Sequence, residues 1–161
     1  YTEEARQVKK TVSVSTGQRR KWDRESFFND AKDRLTDKEV AALKKLYDKS
    51  QELRGEVSWG TGKTCGSFSV KWPHLGAYSV FTVYSSGDFT INYGNFNKTS
   101  EQSEFISFLR KAMSENMGFS VPDDYERRYP SYKIEMWSEG MNKLLQTLEL
   151  VHQKYPIPNN I

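Results

Sequence analysis

Near Glu56 the spacing of apolar residues changes from three-and-four to two, and this change constrains the fold more than any other feature of the chain. Upstream, Phe27, Phe28, Ala31 and Leu35 fall on one side of a short helix. Val40, Leu43, Leu46, Tyr47 and Leu53 do the same for a longer one. Thr36-Asp37-Lys38-Glu39 fits a capping box at the start of that second helix, and Gly55 stands where a helix C-terminus favours glycine. Downstream, residues 56–60, 67–72, 78–84 and 89–93 read as strands, rich in β-branched and aromatic side chains. Pro73-His74-Leu75-Gly76 and Ser85-Ser86-Gly87-Asp88 supply turns between them. Links this short cannot make parallel crossovers, so the spacing predicts a four-stranded antiparallel meander. A third helix follows, capped by Thr99 or Ser100 and stopped by Gly118, with Phe105, Ile106, Leu109, Ala112 and Met113 as its stripe. Residues 119–137 read as irregular. A last helix over 139–155 cannot continue through Pro156 and Pro158. The expected class is α+β, in the order α-α-β-β-β-β-α-loop-α, with one sheet face packed on the helices.

A length of 161 residues suits one domain of ordinary size, able to bury a core without staples. The single cysteine, Cys65, excludes an intrachain disulfide and favours a reducing compartment such as the cytoplasm. With only His74 and His152 as further soft ligands, a zinc site is not expected, and no other cofactor is implied. No apolar run approaches the roughly 20 residues that a membrane span needs. The net charge of +3 is unevenly placed. Within residues 1–24, Arg6, Lys9, Lys10, Arg19, Arg20, Lys21 and Arg24 oppose only Glu3, Glu4 and Asp23, so the excess positive charge lies at the front. Residues 1–21 read as a basic, flexible leader and residues 22–161 as the domain. Such an arm suits either phosphate contact or plain solvation. A start at Tyr1 suggests an excerpt of a longer protein.

Several motifs invite chemistry. Gly60-Thr61-Gly62-Lys63-Thr64 resembles a phosphate-binding loop, but the Walker pattern needs a glycine where Val57 stands, and it must open a helix. The residues that follow read as a strand, so a glycine-rich hairpin is expected, with Lys63 exposed on it. Cys65 has no histidine placed by spacing to act as its base, and packing beside a strand is expected for it. Asp123, Asp124 and Glu126 share one loop without the pattern of a metal-dependent nuclease, and a solvated acidic turn accounts for them. No catalytic constellation emerges. The aromatic residues of the strand region point mainly to core packing, although both faces of the third strand carry apolar groups. Tyr125-Glu126-Arg127-Arg128-Tyr129-Pro130 sets two arginines between tyrosines, a combination suited to phosphate or carboxylate recognition. Arg19, Arg20, Lys21, Lys63, Arg127 and Arg128 are therefore the candidate anion-binding residues.

Trp22-Asp23-Arg24-Glu25-Ser26-Phe27, the segment from Trp59 to Phe68, residues 78–83, Ile91-Asn92-Tyr93-Gly94 and the late Arg127-Arg128 loop together resemble an uncharacterised prokaryotic module. That module often stands next to nuclease-like domains of the PD-(D/E)XK type. The resemblance spans roughly residues 22–155. It implies a C-terminal accessory domain in a nucleic-acid context, with DNA or RNA and an upstream nuclease-like domain as partners and no catalytic residues of its own. A protein–protein or dimerisation domain using the second sheet face is the alternative. A nucleotide-binding enzyme built on the 60–64 loop is the third reading.

Overall fold

The computed structural model describes residues 21–158. Among them, helices α1 (Arg24–Arg34) and α2 (Asp37–Glu52) precede strands β1 (Glu56–Trp59), β2 (Ser67–Lys71), β3 (Phe81–Tyr84) and β4 (Phe89–Ile91). A 3-10 turn (Tyr93–Asn95), helix α3 (Ser100–Met117), a second 3-10 turn (Tyr125–Arg127), strand β5 (Ser131–Tyr132), the short helix α4 (Ile134–Trp137) and helix α5 (Met141–Lys154) complete the order. The strands form one antiparallel sheet in the order β1-β2-β3-β4-β5. Among the described residues no helix is long and apolar enough to cross a membrane.

The helix starts follow local chemistry. Thr36 accepts from the Glu39 N–H while the Glu39 carboxylate accepts from the Thr36 N–H, so two of the orphan donors of α2 are satisfied. Asp23 and Ser26 do the same for α1. At the end of α2, however, the left-handed residue is Arg54 (φ 64°) rather than Gly55. Gly55 is needed for space instead, because a Cβ there would lie 2.5 Å from Val70 Cγ1. Gly118, by contrast, does close α3 in the left-handed conformation (φ 68°).

Register divides the sheet into two unlike faces. Phe68, Val70, Phe81, Val83, Phe89, Ile91 and Tyr132 are buried. They pack on Phe27 of α1, Tyr47 of α2 and Trp137 of α4 at ring separations of 5.2, 5.3 and 6.0 Å. On the other face Ser58, Ser69, Thr82, Thr90 and Ser131 stand opposite one another across all five strands. Hydroxyl bonds join Ser69 to Thr82 (2.8 Å) and Thr90 to Ser131 (3.0 Å).

Three expectations need correction. The sheet has five strands, not four: the stretch expected to be irregular contributes β5, whose two residues are too few to show a two-residue period. The third strand starts at Phe81 rather than 78. Val80 donates to the Val70 carbonyl (2.8 Å) while Phe81 is Val70's register partner, so two consecutive residues face one, as in a bulge. Val80 and Phe81 are consequently both buried, and the apparent second apolar face of that strand disappears. Finally, β4 ends at Ile91. Asn92 turns the chain, with its side-chain amide donating to Ser79 Oγ (2.9 Å) and Thr82 Oγ1 (3.2 Å). Tyr93 thus enters a 3-10 turn while staying buried.

Candidate anion-binding site

Of the six basic candidates, Arg19 and Arg20 lie outside the described residues. The other four fall into two groups. Lys21 and Lys63 belong to the first. Trp22 beside Lys21 is buried, its backbone N–H donates to the Gly60 carbonyl (3.0 Å) and its indole N–H donates to the Gly62 carbonyl (2.8 Å). Residues 60–66 link two antiparallel strands, and no helix follows them. The loop is held from three directions: by Trp22, by Arg34 donating to the Thr64 carbonyl, and by Ser85 accepting from the Gly66 N–H (2.8 Å). A Cβ at Gly66 would lie 2.8 Å from the Trp22 ring, so glycine is required for that contact. Lys21 and Lys63 are exposed and make no ion pair among the described residues.

Arg127 and Arg128 belong to the second group. The register places the 60–66 loop beyond the end of β1 and the start of β2, whereas residues 128–130 lie beyond the opposite end of β4, at the other edge. Three strand spacings and one strand length separate the two groups by on the order of 20 Å. Arg128 is committed to Asp124, with Nε and Nη2 each 2.9 Å from Oδ2. Arg127 is exposed and has no side-chain hydrogen bond or ion pair among the described residues.

This second corner contains two residues that spacing alone does not single out. Arg110 of α3 sets its guanidinium carbon 5.2 Å from the centre of the Tyr125 ring. That ring meets Tyr93 edge-to-face, 5.4 Å between centres at 81°. Arg110 is half-buried, its Nε is covered, and it has neither a hydrogen bond nor an ion pair among the described residues. The Tyr93 hydroxyl is also covered and without a partner, on a residue with 0% exposure. Burial pushes the Tyr93 phenol well above its ordinary pKa, a rise that the Arg110 charge opposes, so the group stays protonated and can donate. Neighbouring Tyr132, pushed up to about 12 by burial, does have an acceptor, the Ser120 carbonyl at 2.8 Å.

The rest of the corner is tightly built. Tyr129, 51% exposed, covers Gly94 and donates to Asn95 Oδ1 (3.1 Å). The Asn97 side-chain amide donates to the Glu126 carbonyl (2.9 Å), and the Gly94 N–H donates to the Arg128 carbonyl (3.1 Å). The arrangement offers guanidinium donors and aromatic faces together on a braced backbone. Among the described residues no group of three or more His, Cys, Asp or Glu side chains could hold a metal ion.

Compared with protein-family models, curated proteins and solved structures, the chain matches none of them.

Proposed function

We propose that this chain is a non-catalytic accessory module of a larger protein and that it engages nucleic acid, DNA or RNA, through the corner formed by the two 3-10 turns. The observation that carries the reading is Arg127. It is an exposed guanidinium with no partner among the described residues, flanked by Tyr125 and by the half-exposed Tyr129. Unpaired arginines interleaved with aromatic rings suit single strands, because phosphates take the charge and any base can stack on a ring. Lys21 and Lys63, at the far end of the sheet, are a second and separate pair of exposed cations. An upstream nuclease-like domain as the effector rests on the sequence resemblance alone. Dimerisation through the second sheet face has less support, since that face carries a row of hydroxyls rather than apolar groups.

An electrophoretic titration with a single-stranded oligonucleotide at two ionic strengths tests the reading. Retention is expected at low salt and should weaken steeply as salt rises. Arg127→Gln should weaken it uniformly across sequences. Arg128→Gln should matter less, because Asp124 already holds that side chain. Absence of retention at low salt would remove the proposal.

A further inference from the structure

Buried donors without acceptors are uncommon in folded proteins. The Arg110 Nε and the Tyr93 hydroxyl are two such donors at one place, linked through the Tyr125 ring. The nearby carboxylates do not resolve them. Asp124 is taken by Arg128, and neither Glu126 nor Asp123 reaches Arg110 within ion-pair distance. Arg110 stands at the edge of the buried stripe of α3: Ile106 and Met113, four before and three after it, are buried, whereas Ser107 and Ser114 on its other side are exposed.

We propose that Arg110 and the Tyr93 hydroxyl form the inner wall of an oxyanion subsite, taking a single phosphate group between the two 3-10 turns, with Arg127 at its rim. The inference deepens the proposed function, since it rests on the same corner and names the group recognised there. A phosphate oxygen would accept from the phenol and from the guanidinium fork, which suits the planar donor pattern of arginine. The Tyr125 ring would hold the guanidinium in place. In the ligand-free chain the phenol and the Arg110 Nε are unsatisfied, so the subsite lowers stability until it is filled.

That cost sets the sign of the test, which uses the full 161-residue chain. Melting is followed in chloride and in low-millimolar inorganic phosphate at matched ionic strength, for the unsubstituted chain, Tyr93→Phe and Arg110→Met. Phosphate should raise the midpoint of the unsubstituted chain by mass action. Tyr93→Phe should melt about 2–4 °C higher in chloride, because it removes a buried orphan hydroxyl. It should also bind phosphate roughly ten-fold more weakly. Arg110→Met keeps an apolar stem and should abolish the phosphate shift. Three results would each overturn the subsite: no phosphate shift beyond chloride, a shift that survives Arg110→Met, or a Tyr93→Phe chain that melts lower in chloride, which would mean that a trapped water already satisfies the hydroxyl. Retention of an oligonucleotide without any phosphate shift would discard the subsite and leave the proposed function standing. Loss of both would discard both.

Discussion

Ser85 is a small residue on which a large part of the fold converges, and its replacement by alanine is a demanding test of the packing described above. It is fully buried. Its hydroxyl accepts from the Gly66 N–H (2.8 Å) and donates to Asp30 Oδ2 (2.6 Å), while Asp30 also pairs with Arg34 Nε (2.8 Å). One side chain therefore connects the β3–β4 turn, the 60–66 loop and α1. Ser85→Ala strands the Gly66 N–H in the interior, at a cost of about 1–3 kcal/mol for an orphaned buried donor. It also removes a charge-assisted bond, discounted because Asp30 is partly exposed (22%) and Arg34 remains beside it. The expected loss is about 3 kcal/mol, or roughly 6–12 °C in melting midpoint for a chain of this size. Urea denaturation followed by tryptophan fluorescence would measure it. Asp30→Asn keeps an acceptor oxygen for Ser85 and should cost about 1 kcal/mol. A Ser85→Ala loss below about 0.5 kcal/mol, or a larger loss from Asp30→Asn than from Ser85→Ala, would refute the reasoning.

Two further outcomes are expected. Gly87→Ala should destabilise by about 2–4 kcal/mol, because residue 87 has φ 94° and its new Cβ would lie 2.7 Å from Ile134 Cβ. Gly118→Ala, with φ 68° and nothing within 4 Å, should cost only the backbone strain of about 1 kcal/mol, and urea midpoints would rank the two. His152 has its pKa lowered, first by burial and then by His74 and Arg54. The unfolded chain then takes up the proton first, so stability is full above the ordinary value of 6.5 and falls as pH drops through it toward the lowered folded value. Denaturation midpoints between pH 7 and pH 5 should show that fall, and it should flatten in His152→Gln.

Much of the fold was legible in the sequence because its signals are local. The Thr36–Glu39 capping box, the stripe of α3 and the alternation of β2 each depend on residues within a turn or two of one another. What escaped depends on long-range partners. Strand β5 exists because β4 offers it an edge, and two residues after a proline carry no period of their own. The bulge at Val80 is defined by Val70 across the sheet, and the same Val70 requires glycine at position 55 for space while the left-handed turn falls on Arg54. Arg127 was visible as an arginine between tyrosines, and the separation of Lys63 from it was not. Arg110 did leave a trace. Ile106, Leu109, Arg110 and Met113 repeat at the spacing of a core face, so a charged residue stands at the edge of an apolar stripe. Tyr93 likewise continues the alternation of Phe89 and Ile91. That both polar tips would lack partners required the packed structure.

The way β5 joins the sheet carries a consequence for how the molecule opens. The first four strands are linked in sequence by short connections, whereas Thr90 and Ser131, bonded side by side, are 41 residues apart, with all of α3 between them. Closing that long excursion loses more chain entropy than any hairpin, and it is offset by only two residues of ladder together with the buried Tyr132 ring and its bond to the Ser120 carbonyl. The β4–β5 seam should therefore detach first, exchanging its amide hydrogens through local opening while β2 and β3 stay protected. The two 3-10 turns flank this seam, so any anion bridging them would act as a clasp across it, and slower exchange at the Ile91 amide would report occupancy directly.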